Sequence, residues 1–390
     1  MQNLQLTARE GVRRLKVSRI REVANAGMDH PDLLAFWFGE PDQVTPEFIR
    51  RAAIDALESG DTFYTQNLGI TPLREAIAHY VSGLHGKTGA ENIAVTNSGL
   101  SALMISTQAL AGPGDRVVIV TPIWPNLVEI PRILGAEAVT FPLEFSERGW
   151  QLDLERLLAT LTPQTTALCI NSPNNPTGWT ADRETQSIIL EHCRRHGIWI
   201  LADDAYERLY FGNNLSIAPS FLDISDPEDR LVSTNTFSKA WQMTGWRLGW
   251  IAMPKELASN VATLIEYNTS CAPGFIQQAG IRAIEQGDPV IHEFSARLKS
   301  ARDFLLKHLR DLPGVEAAVP PGAMYAFFRI AGAEDSLAFC KRLVDSTGLG
   351  LAPGIAFGPE GEGFVRWCFA ASQEKMEQGI ERFTQFLKKH

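Results

Sequence analysis

Five cysteines in 390 residues, Cys169, Cys193, Cys271, Cys340 and Cys368, include no CxxC pair. They are too few and too scattered for a disulfide framework or a thiolate-held metal, and read as free thiols of a reducing compartment. Long hydrophobic runs are missing too. The longest uncharged stretches, Asn92 to Gly114 and Leu157 to Ala181, are broken by Asn, Ser, Thr, Pro and Gly, so neither is a bilayer span. Basic charge is in deficit, with 36 Lys+Arg against 45 Asp+Glu and a formal net charge of −9. Binding to nucleic acid needs a basic face, so no such partner is expected. The basic start, Arg9 to Arg21, lacks the apolar core of a secretory signal. Glu10 and Glu22 argue against an import peptide, which leaves a basic helix lying on the body of a cytoplasmic protein.

Several chemical motifs are also absent. Gly86-Lys87-Thr88 resembles the end of a P-loop, but Val81 stands where the first glycine is required. Thr236-Phe237-Ser238-Lys239 with Lys87-Thr88-Gly89 would suit a penicillin-binding enzyme, except that the nucleophile position holds Thr and the motif order is inverted. His192 and His196 are spaced to share a zinc ion, yet Arg194 and Arg195 beside them would repel it; a solvated helix end is the simpler reading, and no metal site is expected. There is no GxGxxG after a strand and no GxSxG elbow.

What is present is alternation. Thr45-Pro46 and Thr71-Pro72 read as an N-cap followed by a first-turn proline, with Gly60 and Gly83 as stops. Apolar strands are expected at 93–96, 117–121, 167–170, 198–202, 231–235 and 248–252, most of them separated by helical segments. This predicts an α/β fold: a mainly parallel mixed sheet sandwiched by helices, with ligands gathered at the carboxyl ends of the strands. After about residue 285 the pattern changes to a charged helix (292–309), short strands and a closing helix from about Ser372. The expected organisation is an arm (1–44) contributing to a smaller domain and to dimer contacts, a large domain (45–288), and a smaller α+β domain (289–390).

Polar residues collect where the strands end. One strand runs into Asn171-Ser172-Pro173-Asn174-Asn175-Pro176-Thr177-Gly178, another into Asp203-Asp204-Ala205-Tyr206, a third into Thr236-Phe237-Ser238-Lys239 and then Arg247. Asn97-Ser98-Gly99 opens a helix whose free N–H groups and positive dipole end suit an anion. A lysine, a carboxylate, an arginine and a phosphate cradle at strand ends form a cofactor constellation.

With these motifs, and with Phe38-Gly39-Glu40-Pro41-Asp42 and Phe364-Val365-Arg366, the chain resembles the class I/II aminotransferases, pyridoxal 5′-phosphate enzymes of the aspartate aminotransferase fold (fold type I). The resemblance implies that Lys239 is the Schiff-base lysine, forming an internal aldimine and moving the proton during ping-pong transfer from an L-amino acid to a 2-oxo acid. It implies Asp203 at the pyridine nitrogen, Asn175 and Tyr206 at the phenolic oxygen, and Trp124 stacked on the ring. Ser98, Gly99, Leu100, Thr236, Ser238 and Arg247 would hold the phosphate, and Tyr64 would come from the neighbouring subunit of a homodimer. Arg366 would clamp the substrate α-carboxylate, assisted by Asn175 and the Gly39 backbone. Leu100-Ser101 stand where one branch of the family carries a lysine for dicarboxylates, and Phe36, Trp37 and Phe38 are bulky, so an apolar or aromatic substrate side chain is expected, with aspartate open if a cation reaches in from the partner subunit. The competing readings are a lyase on the same scaffold, and a cofactor-sensing effector domain, for which residues 1–44 are too few to add a DNA-binding module.

Overall fold

The computed structural model describes residues 7–212 and 217–389. Seven strands form the main sheet: β1 (Ile93–Thr96), β2 (Arg116–Thr121), β3 (Glu137–Pro142), β4 (Thr165–Asn171), β5 (Trp199–Asp203), β6 (Leu231–Thr236) and β7 (Gly249–Ala252). Their spatial order is β1-β7-β6-β5-β4-β2-β3. β2 to β6 pair in parallel, whereas β7 is antiparallel to both β6 and β1. The sheet is buried on both faces, as crossover helices require. On β2, Val117 and Ile119 join one apolar cluster while Val118 and Val120 join another on the opposite face. Six strands fall where the sequence places them, to within a residue or two. The strand at 137–142 was not expected: it lies at the sheet edge, and its half-exposed pattern dilutes the apolar signal.

Helices Glu47–Glu58, Thr71–Leu84 and Gly274–Gln286 cover one end of the sheet, packing Ile49, Leu73, Ile77 and Ala279 with Val95 and Trp250. Their starts differ from expectation. Pro46 and Ile70 occupy the N-cap positions without a side-chain cap. Thr45 is drawn into the interior instead, where its hydroxyl donates to the Gln242 carbonyl at 2.7 Å and accepts from Trp246 Nε1 at 2.9 Å. Gly83 does not stop its helix, which runs one residue further to Leu84.

A second sheet is built from β8 (Val315–Glu316), β9 (Tyr325–Ile330), β10 (Ala352–Pro353) and β11 (Phe364–Cys368), in the order β8-β9-β11-β10. Helices Asp288–Arg310, Ser336–Thr347 and Gln373–Lys389 pack on it, sharing one apolar cluster with β2, β4 and β5 of the main sheet. The arm ties in through helix Arg19–Gly27 and through Leu34–Ala35, which pairs in parallel with Leu349–Gly350. The His192 and His196 rings lie 4.5 Å apart, tilted by 47°, on a helix closed by left-handed Gly197, and no metal-binding cluster occurs among the described residues. No helix of the described residues is long and apolar enough to cross a membrane.

Candidate active site

Register brings the polar strand ends to one edge. Asn171 of β4 is level with Asp203 of β5, which is level with Thr234 of β6. Antiparallel β7 begins at the same edge, with Gly249 opposite both Thr236 and Thr96. A cleft of about 520 Å³ opens there, lined by Gly39, Gly99, Leu100, Trp124, Asn175, Asp203, Tyr206, Thr236, Ser238, Lys239, Arg247 and Arg366. Twelve of the residues singled out in the sequence therefore share one cavity.

Lys239 lies on the floor, its Nζ donating to the Gly39 carbonyl at 2.6 Å and sitting 5.8 Å from the Tyr206 ring centre. Burial lowers its pKa to about 8, so a neutral, nucleophilic amine is accessible near neutral pH. Asp203 is buried, and desolvation raises its carboxyl pKa to about 6 against the opposing Ala205 N–H and the Lys239 charge. A carboxylate kept in such a place lacks the cation that would bring it back to its ordinary range. Tyr206 meets Tyr325 hydroxyl to hydroxyl at 2.7 Å and accepts a long 3.5 Å bond from Asn175 Nδ2. Burial, then Tyr325, holds the Tyr206 pKa well above its ordinary value.

The anion cradle is visible as strain. Ser98 has φ 136° and Arg247 φ 57°, regions that side chains other than glycine occupy at a cost of roughly 1–3 kcal/mol. Ser98 is the N-cap of helix Gly99–Leu110, with Oγ accepting from the Ser101 N–H. Thr236 Oγ1 and Ser238 Oγ lie 2.9 Å apart beside it. A Cβ at Gly249 would sit 2.5 Å from the Gly99 nitrogen, so only glycine lets β7 and this helix start approach so closely. On the opposite wall Arg366, 2% exposed, donates to Asn175 Oδ1 at 2.7 Å and to the Trp37 carbonyl, while its Nε has no partner. An unpartnered guanidinium nitrogen in a buried site fits a carboxylate ligand.

Tyr64 does not line the cleft; it is 90% exposed, beside Phe63 at 83%. Phe38, expected beside the substrate, does line the cleft, whereas Tyr325, Asn171, Glu40 and Arg21 line it without having been given a site role from the sequence. Tyr325 sits within an apolar strand with no local motif to flag it; Asn171 and Glu40 belong to motifs quoted for their neighbours. Asn171 joins the loop to the sheet, accepting from the Asn175 N–H at 2.7 Å and donating to the Asp203 carbonyl at 2.9 Å.

Behind the Asp203–Tyr206 turn is a buried ionic network. His85, its side chain 1% exposed, bridges Glu207 at 2.9 Å and Asp223 at 2.8 Å. Burial would lower its pKa, but the hydrogen bonds to Asp223 and Glu207 prevail and raise it to about 10. Asp204 accepts from Ser233 at 2.6 Å and Ser220 at 3.2 Å.

A lysine amine, a buried carboxylate and a strained cradle of hydroxyls, arginine and helix terminus fit the aldehyde, the basic ring nitrogen and the phosphate of one molecule. Fold and site thus define a pyridoxal 5′-phosphate enzyme. The chain belongs to the class I and II aminotransferases, whose family model matches residues 31–383. It is similar to an aspartate aminotransferase of Pyrococcus horikoshii, 32% identical over 97% of this chain and 96% of that one. It is also similar to aromatic-amino-acid aminotransferase 2 of Thermococcus litoralis, 30% identical over 95% and 96%. The crystal structure of the aspartate aminotransferase of Thermotoga maritima superposes with a TM-score of 0.91 at 31% identity, covering 98% of this chain and all of the other. The chain is a pyridoxal-phosphate-dependent aminotransferase, moving an amino group from an amino acid to a 2-oxo acid.

Proposed function

We propose that the residues of the cleft divide the reaction as follows. Pyridoxal phosphate, when bound, supplies a carbonyl to receive the amino group and a ring that withdraws electrons from the substrate Cα. Lys239 holds the cofactor covalently and, once released, carries the proton to and from the substrate Cα as a general base; its lowered pKa suits that task. Asp203 holds the protonated ring nitrogen, the cation it otherwise lacks. Tyr206 and Asn175 donate to the phenolic oxygen, Tyr325 fixes Tyr206, and Trp124 covers the ring face. Ser98, Gly99, Leu100, Thr236, Ser238 and Arg247 receive the phosphate, and Arg366 with Asn175 and Gly39 receives the substrate α-carboxylate.

Phe38, Leu100, Leu103 and Ile20 supply apolar walls, which supports a substrate with an apolar or aromatic side chain. The exposure of Tyr64 and Phe63 supports a homodimer in which Tyr64 completes the neighbour's site. The division into an arm (1–44), a large domain (45–288) and a small domain (289–390) is retained as part of this reading.

The observation that carries the proposal is the Lys239 amine on the cleft floor, facing buried Asp203. The test is the visible and near-ultraviolet absorbance of the purified protein, followed while L-amino acids are added singly. Loss of the lysine-bound cofactor band, with its return on adding a 2-oxo acid, is expected. Release of pyruvate and ammonia without that cycle would establish a lyase instead.

A further inference from the structure

β10 and β11 are joined by residues 354–363, a loop that contributes no residue to the cleft lining yet touches two elements that do. Its Phe357 ring lies 4.7 Å from the Arg366 guanidinium carbon, and the Tyr325 ring lies 4.4 Å from the same atom, so two aromatic faces fix the clamp. On the other side the Phe357 carbonyl accepts from the Ile123 N–H at 2.9 Å, and Glu360 Oε1 accepts from Thr121 Oγ1 at 3.0 Å. Thr121 is buried at the end of β2, three residues before Trp124, so both bonds pin the turn that presents the indole to the cleft. The loop is braced. Ser336 accepts from the Ile355 N–H at 3.1 Å and donates its own N–H to Glu362 Oε1 at 2.7 Å. Gly354 and Gly361 approach so closely that a Cβ on either would strike the carbonyl of the other. Glu360 Oε2, by contrast, is buried with no hydrogen-bond partner among the described residues. A half-satisfied carboxylate costs free energy, so packing does not account for it. What a carboxylate does offer is a grip on a hydroxyl roughly twice as strong as that of a neutral acceptor.

We propose that Glu360 is a positioning residue for transamination: through Thr121 it fixes the turn that carries Trp124 against the same braced loop that holds Phe357 on Arg366. The indole that covers the cofactor ring and the guanidinium that receives the substrate α-carboxylate are thereby registered to one another from a single loop. The proposal rests on the reading of Trp124 as the cover of the ring face. Registration matters because a misplacement of about 1 Å between reacting groups can cost about a hundredfold in rate. Arg366 keeps its own bonds to Asn175 and to the Trp37 carbonyl, so loosening Glu360 moves the indole and leaves the clamp in place. The defect is then one of turnover and of cofactor orientation, with substrate binding largely spared.

The test uses the cofactor-loaded enzyme and reads two quantities besides rate: the visible circular dichroism of bound pyridoxal phosphate, and the affinity of the cofactor-free protein for it. Glu360→Ala removes the acceptor, Thr121→Val removes the donor, and Glu360→Gln keeps an acceptor without the charge. Glu360→Ala and Thr121→Val are each expected to lower kcat about tenfold, the loss of one charge-assisted hydrogen bond, with KM changed less than about threefold. Both should weaken the dichroic band and cofactor affinity, and the double variant should be no worse than the poorer single one. Glu360→Gln should recover part of the loss, which a fold-wide defect would not allow. An unchanged band and kcat in Glu360→Ala, a rise in KM alone, or losses that multiply in the double variant would each overturn the proposal. Trp124→Leu separates it from the reading beneath it. If that variant alters the band while Glu360→Ala does not, the role of Glu360 falls alone; if Trp124→Leu leaves the band untouched, the indole does not cover the ring and both fall.

Discussion

Replacing His85 by glutamine keeps a hydrogen-bonding group between Glu207 and Asp223 but removes the charge that both carboxylates face. A pKa raised from 6.5 to about 10 corresponds to roughly 4–5 kcal/mol of preference for the folded state. Breaking a buried pair by removing one partner costs about 3–5 kcal/mol, so the two figures agree. Because the folded-state pKa lies above the unfolded one, the contribution is complete below 6.5 and is lost as pH rises through about 10. The assay is urea unfolding of wild type and His85→Gln at one fixed protein concentration, near pH 6.5 and again near pH 10. The expected result is a deficit of about 3 kcal/mol or more at the lower pH, narrowing clearly at the higher. A deficit that is the same at both pH values, or no deficit, would refute the charged bridge. Glu207 follows Tyr206 directly, so the variant should also lose turnover when assayed below its unfolding midpoint.

Three further outcomes follow from the site. Asp203 has a folded-state pKa of about 6, above its ordinary 3.8, so in the cofactor-free chain its charge costs roughly 3 kcal/mol above pH 6, a cost that disappears as pH falls below 3.8. Asp203→Asn should therefore stabilise the cofactor-free protein near neutral pH while impairing transamination, and a variant that melts lower would count against this account. Arg366→Lys replaces a fork by a point charge, and kcat/KM for amino acids should fall about ten- to a hundredfold, as steady-state kinetics can show. Tyr325→Phe removes the hydroxyl partner of Tyr206; stability should fall by about 1 kcal/mol and the Tyr206 pKa should move down, observable by ultraviolet difference titration.

The strands were legible because each is an apolar run buried on both faces, and the catalytic positions because they are polar residues placed where such runs stop. Edge strand 137–142 was not, since its exposed Glu137 and Thr140 remove the apolar continuity that marked the others. The threonine caps were misread for a different reason: Thr45 has capping chemistry, but a buried carbonyl at Gln242 and an indole N–H at Trp246 compete for its hydroxyl. Lys239, Asp203 and Arg366 belong to quotable motifs. Tyr325 and Arg21 reach the cleft only through tertiary packing, and spacing along the chain carries no trace of it.

The walls of the cleft come from distant stretches of chain. Lys239 bonds to Gly39, 200 positions earlier, and Arg366 bonds to Asn175 and to Trp37, 191 and 329 positions earlier. During synthesis, therefore, the nascent chain has no complete pocket until residue 366 has left the ribosome and β11 has docked against β9. A chain made only through β7 contains every strand of the main sheet, but its lysine lacks the wall that holds substrate and one face of the sheet lacks the apolar partners that follow. Loading of a substrate analogue onto nascent chains would thus begin late and abruptly, and it would report that translation has passed that point.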